Sequence, residues 1–196
     1  MKKLLLLAIT AMPLFSFAAP ADDKGDMLEY ITPEVFKTEL LAGKIKPNTF
    51  YWANQMGDQT LAPKPKMDGD IPFLELTGGT SPTVAGGQNS FLYRIIPIPE
   101  GNKTKATITA EFNYEPDLWA GRAPTATGAT VSAFFTDGKR CSGDMAVGPA
   151  RLPKMATWTK ITGTVPVPPG AKFIGITVTA PMSFIARIRN INIAFE

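Results

Sequence analysis

The sequence predicts an all-β chain: an antiparallel two-sheet β-sandwich with one short N-terminal helix. Three observations predict it. Eight or so short segments alternate apolar and polar residues, the period of a half-buried strand. The 17 glycines and 18 prolines separate those segments with turn signals. One stretch alone, near residue 33, carries helix start and stop signals. No repeat or low-complexity tract breaks the pattern.

The chain opens with Met1-Lys2-Lys3, an apolar run through Phe17, and small residues at Ser16 and Ala18. A positive tip, a short apolar stretch and small residues at its end predict a secretory signal over residues 1–18. The run is too short and too Pro-broken for a membrane span. No Cys follows it, which argues against a lipid anchor. Cleavage is expected after Ala18, with Ala21 as the second choice. A secreted or periplasmic protein with no membrane span is expected.

Residues 19–47 read as a polar segment followed by the helix. Thr32-Pro33-Glu34 offers a capping residue, a proline tolerated at the first helical position and an acid suited to the positive helix end. Val35, Phe36, Leu40 and Leu41 form an apolar stripe, and Gly43 stops it. A helix over 33–42 is expected to dock on one end or edge of the sandwich. Residues 48–196 read as the sandwich domain.

Strands are expected at 49–53, 71–76, 91–98, 105–114 and 129–136. Three more follow: one opening at Trp158, one at Phe173, and a last from Phe184 to Phe195. Residues 61–69, rich in Lys and Pro, read as loop. Within 105–114, Ile108, Ala110, Phe112 and Tyr114 share a face, and Thr107, Thr109, Glu111 and Asn113 share the other.

Composition excludes several chemistries. Histidine is absent, so Ser-His-Asp and Cys-His sites are impossible, as are histidine metal sites. Cys141 is the only cysteine, so no intrachain disulfide forms. Nothing near it makes a reactive thiol, and it reads as a bystander. Loss of the leader with Lys2 and Lys3 leaves 18 basic against 17 acidic residues, a net charge of +1. Scattered cations and a charge this small argue against nucleic acid as a partner. Gly78-Gly79 and Gly86-Gly87 precede no helix and no Lys-Ser/Thr, so they read as turns rather than phosphate loops. Several carboxylates could pair, but no spacing selects two of them. No cofactor is expected.

The C-terminal pattern has a Trp opening an alternating strand at Trp158, then Pro168-Pro169-Gly170, the strand from Phe173 to Thr179, and Ile188-Arg-Asn-Ile191-Asn-Ile193. It resembles the closing strands of the galactose-binding-like jelly-roll modules, the carbohydrate-binding domains that accompany secreted bacterial glycosidases. Phe73 and Leu76 fall where such domains carry an early core strand, and 105–114 where they carry a central one. The resemblance covers about residues 48–196 and implies a jelly-roll fold and a glycan partner. It also implies that Trp158 packs the core, so that Trp158→Ala lowers stability. Relatives often hold a structural calcium with an acid near the last strand. Arg189 stands here where an Asp is common, and no metal is assigned.

A sugar ring offers a flat apolar face that stacks on an aromatic, and hydroxyls that need polar partners. Trp119, in a Gly/Pro loop with Asp117 and Arg122, is the leading platform; its alternative is a lid on the core end. Glu111 and Asn113 lie on the polar face of the strand leading to it. Alternation in Phe50-Tyr51-Trp52 exposes one face, so Trp52 is a further candidate, and Tyr93 another. Arg94 lies in an apolar strand and needs a partner, for which Glu111 is a candidate; the alternative is an exposed, solvated pair. The expected function is non-catalytic glycan binding. Its rival is a structural or protein-interaction sandwich with an envelope protein as partner. A small carboxylate-based hydrolase or lyase is the third reading. N-terminal sequencing of exported protein is expected to begin at Ala19 or Asp22; a mature chain that keeps Met1 overturns the leader.

Overall fold

The structure, a computed structural model, describes residues 29–54, 59–79, 89–116, 128–148 and 156–196. Eleven strands and one α-helix occur among them. These are β1 (Glu29–Tyr30), α1 (Pro33–Leu41), β2 (Phe50–Asn54), β3 (Lys64–Asp68), β4 (Ile71–Thr77), β5 (Ser90–Pro97) and β6 (Lys105–Pro116). β7 (Thr130–Thr136), β8 (Met145–Ala146), β9 (Thr159–Pro166), β10 (Phe173–Ala180) and β11 (Phe184–Phe195) complete the order. The fold is all-β, a jelly-roll sandwich of two sheets. The six-stranded sheet runs β1-β2-β5-β10-β7-β8 and the five-stranded sheet β3-β4-β11-β6-β9. Every pairing is antiparallel except β1 on β2. No helix of the described residues is long and apolar enough to cross a membrane.

Strand alternation builds the core. Ala106, Ile108, Ala110, Phe112 and Tyr114 of β6 point inward, with Leu76 of β4, Ile161 and Val165 of β9, and Ala186 and Ile188 of β11. They meet Trp52, Leu92, Val131, Ala133, Phe135, Ile174, Ile176 and Val178 of the facing sheet. The strand at 64–68 was not expected. It lies at the edge of its sheet with all five residues exposed, so no apolar alternation marks it. An edge strand also tolerates Pro65, and its lysines discourage pairing with another chain.

A second apolar cluster lies outside the sandwich, on the outer face of the six-stranded sheet. Phe36 and Leu40 of α1, four residues apart on one helix face, pack there against Tyr51, Ala53, Tyr93, Ile95 and Phe134. The Phe36 ring stacks on Tyr93 at 4.0 Å and 11°. Gly175 makes room for this layer, because a Cβ there would lie 2.2 Å from the Phe134 ring. The helix therefore covers a sheet face, not an end or edge of the sandwich as the sequence suggested. Its stripe is also narrower than expected, since Val35 is exposed. Thr32 is extended and makes no side-chain cap; its carbonyl accepts from Val35 and Phe36 instead. The helix end matches expectation, with Gly43 left-handed at φ 71°.

Since one fully buried ring holds α1 to the sheet, Phe36→Ala should cost about 3–5 kcal/mol. Urea unfolding monitored at two wavelengths measures it. A cost under about 1 kcal/mol would show that α1 does not stabilise the sandwich.

Candidate functional site

With α1 over one sheet, the outer face of the five-stranded sheet is the one that no other described element covers, and its side chains follow from register. On β6 the residues between the core positions, Thr107, Thr109, Glu111, Asn113 and Glu115, face outward. On β4 these are Phe73 and Glu75, and on β11 Arg187 and Arg189. Arg189 lies opposite Glu111, and Arg187 lies between Glu75 and Asn113. Opposite charges are thus set side by side across strands, the favourable arrangement on a sheet face.

Two guanidinium groups organise the face. Arg187 donates from Nε to Glu75 at 2.8 Å and from Nη2 to Glu115 at 2.5 Å, while Lys66 Nζ reaches the other Glu75 oxygen at 2.5 Å. Arg189 donates from Nε to Glu111 and from Nη1 to Asp68, both at 2.7 Å. The second Glu111 oxygen accepts from Asn190 Nδ2 at 3.1 Å. Each arginine is held by two carboxylates, and its planar fork suits that geometry.

A β-bulge makes the second cluster possible. Arg189 pairs with Glu111 and Asn192 with Thr109, so Asn190 and Ile191 together face only Ala110. Asn190 takes the left-handed conformation at φ 53°, which asparagine tolerates. The extra residue lets Arg189 and Asn190 both reach Glu111 while Ile188 and Ile191 both enter the core. Without it, everything beyond Arg189 would change faces.

The aromatic part of the face is Trp158, just before β9. The Arg189 guanidinium lies 4.0 Å from its ring centroid, within cation–π range. Phe73 meets it edge to face, at 5.4 Å and 74°. Both rings are half-buried. This corrects the expectation that Trp158 packs the core. Parity carried the signal: Trp158 is in phase with Lys160, Thr162 and Thr164, which are exposed, and out of phase with Ile161 and Val165, which are buried.

The other expected site residues divide. Glu111 is on the open face. Asn113 is on the same side of β6 but only 6% exposed, and its Oδ1 has no solvent contact and no hydrogen-bond partner among the described residues. Trp52 is 3% exposed within the core, edge to face with Tyr30, and Tyr93 is 8% exposed beneath Phe36. Neither ring can reach a ligand, so both are corrections. Alternation exposes one face of a strand only if nothing else covers it, and here α1 does. Arg94 shares the inner side of β5 with Leu92, in the other sheet from Glu111, and its guanidinium lies 5.2 Å from the Phe50 ring. Glu111 therefore serves Arg189, not Arg94. Asp117, Trp119 and Arg122 lie outside the described residues. Sequence reading missed Phe73, Glu75, Asp68, Lys66, Arg187 and Arg189 as members of one face.

Electrostatics keep these carboxylates ionised. Burial pushes the Glu75 carboxyl up, but hydrogen bonds from Lys66 and Arg187 outweigh it and hold it below the ordinary value. The Arg189 hydrogen bond holds Glu111 low against a smaller opposing effect of burial. A general acid in glycoside hydrolysis needs the opposite shift. Where the resemblance would place a calcium ligand, the Arg189 cation itself takes up Asp68 and Glu111, so those residues do not fit a metal ion. No group of three or more metal-binding side chains occurs among the described residues. A cleft of about 310 Å³ at the sandwich end is lined by Phe135, Asp137, Arg140, Cys141 and Pro168. Burial pushes the Cys141 thiol up, away from the nucleophilic thiolate.

No family model matches the chain, and no curated protein does. Among solved structures it is similar to the enzymatically active domain of tailspike protein 4 of bacteriophage CBA120. The identity is 14% and the TM-score 0.49, over 88% of this chain and 22% of that one, so the chain spans a minor part of that domain. It is similar to the CBM22-1 xylan-binding domain of Paenibacillus barcinonensis Xyn10C, at 14% identity and TM-score 0.46, over 74% of this chain and 85% of that one. It is also similar to the carbohydrate-binding module CBM6cm-2 of Cellvibrio mixtus lichenase 5A, in complex with cellotriose. There the identity is 15% and the TM-score 0.35, over 68% and 89% of the two chains.

The depressed carboxylates fix a pH dependence. A group held below its unfolded pKa contributes stability that is present above that pKa and lost as pH falls through the folded one. Glu75→Gln should therefore lower stability at pH 7 by about 1–3 kcal/mol. The gap to wild type should close as pH drops below about 4, where the free carboxyl itself protonates. Parallel melting curves from pH 7 to pH 3 test this, and a gap that widens in acid contradicts the assignment.

Proposed function

We propose that this protein binds carbohydrate, without catalysis, on the open face of the five-stranded sheet. The observation that carries this reading is the half-buried Trp158–Phe73 pair, set within a face whose charged groups are already paired. A pyranose ring can lay its apolar C–H face on Trp158 while its hydroxyls exchange hydrogen bonds with the rim of Glu111, Asn190, Glu115 and Lys160. A half-buried aromatic among polar side chains held in fixed positions suits a ligand that is apolar on its faces and polar at its edge. The same face does not suit acid–base chemistry, because Glu75 and Glu111 are held ionised.

β6 ends, at Pro116, toward the Trp158 end of this sheet, since Phe112 pairs with Thr159. Asp117, Trp119 and Arg122, which follow Pro116 in sequence, belong to the proposal as further contacts. Residues 48–196 are proposed as the binding domain. Export to the periplasm or the medium after loss of residues 1–18 would bring it to extracellular glycans.

Affinity electrophoresis in gels containing xylan, β-glucan, galactan or polygalacturonate tests the reading. Trp158→Ala should lose most of the retardation, by about 1–3 kcal/mol if stacking here matches base stacking on aromatics, with a nearly unchanged melting temperature. Retardation that survives Trp158→Ala but not Trp119→Ala moves the site to the segment that follows Pro116. A wild-type protein retarded by none of the gels, yet recovered with an envelope protein, favours the interaction reading. Exposed Met67 and Ile71 on the β3–β4 hairpin are then the surface to mutate.

A further inference from the structure

We propose that Arg189 is a positioning residue: it sets the orientation of the Trp158 indole and so the stacking geometry of the glycan face. The proposal rests on reading that face as the binding platform. Trp158 precedes the first ladder residue of β9, and Ala156 before it takes a left-handed φ of 55°. Strand parity therefore sets the side of the sheet on which Trp158 lies, but no ladder pairing fixes the orientation of its ring. Among the described residues the indole has two ring contacts, the Phe73 edge and the Arg189 guanidinium.

Of these, Arg189 is the fixed partner. Its side chain is 9% exposed, and carboxylates on two different strands, Asp68 of β3 and Glu111 of β6, define its plane. The bulge at Asn190 supports that arrangement, because Asn190 takes the second Glu111 oxygen and keeps the carboxylate turned toward Arg189. A guanidinium with its plane pinned from two sides holds a stacked ring more narrowly than a rotatable ammonium does. Fixing an aromatic before binding removes an ordering cost from the ligand step. The chain of action runs from the bulge to Glu111, then to Arg189 and to Trp158.

Fluorine NMR of protein labelled with 5-fluorotryptophan reads this without any glycan. Three tryptophans give three resonances, and Trp158→Phe identifies the one from Trp158. Arg189→Lys keeps the charge and the carboxylate pairing but loses the planar fork; the Trp158 resonance should move and broaden while the Trp52 resonance stays. Arg189→Met combined with Asp68→Asn and Glu111→Gln removes the charges together and leaves no carboxylate unpaired; the same resonance should move again. A Trp158 resonance unchanged in both variants, whatever their melting temperatures, overturns the proposal.

The functional arm uses xylan, β-glucan and galactan gels. Arg189→Lys should weaken retardation at least threefold in any gel that retards the wild type, with little change in melting temperature. Undiminished retardation overturns the positioning role. A wild type retarded by no gel overturns the binding reading instead, and the fluorine result then judges positioning by itself.

Discussion

The structure depends on the two-residue period of its strands, which sends successive side chains to opposite faces. In each sheet that period must satisfy an inner and an outer environment at once. The inner requirement is the same for both sheets, an apolar layer from Leu76, Ile108 and Ile188 on one side to Leu92, Ile174 and Val178 on the other. The outer requirements differ, and the chain meets each with different residues.

On the six-stranded sheet the alternate positions are themselves apolar, including Tyr51, Tyr93, Ile95 and Phe134, and α1 covers them. Beneath α1 the sheet is therefore buried on both faces. On the five-stranded sheet the alternate positions are largely polar or charged. Arg187 and Arg189 each span two carboxylates, so the face stays polar without leaving an unpaired, partly buried charge. Such a lattice also sets the aromatic pair in a polar surround, unlike the contiguous apolar surface of an aggregation-prone patch.

The bulge at Asn190 and Ile191 is the one place where the period in β11 is broken, and the break has two effects. It preserves the core, because Ile191 and Ile193 return to the inner face. It also puts two adjacent polar side chains on one carboxylate. A structural correction of register and the assembly of the proposed site are here the same event, consistent with bulges being frequent beside functional residues.

The sequence by itself determined the eight longer alternating strands, the helix and the inner faces, but not the exposed β3 or the two-residue β1 and β8. Those rest on local period and turn chemistry, and Ile108, Ala110 and Phe112 carry them without reference to anything distant. The outward phase of Trp158 with Lys160 and Thr162 was legible on the same grounds, although the family resemblance pointed the other way. Tertiary structure alone decided which faces are open. Trp52 and Tyr93 are ordinary strand aromatics in sequence; the facing sheet buries one and α1 the other. It alone also decided which charges meet, since Arg189 lies 121 residues from Asp68 and 78 from Glu111. The physical reason is that alternation assigns a residue to a side of its strand, whereas what lies on that side depends on strand order, register and covering elements that no local pattern encodes.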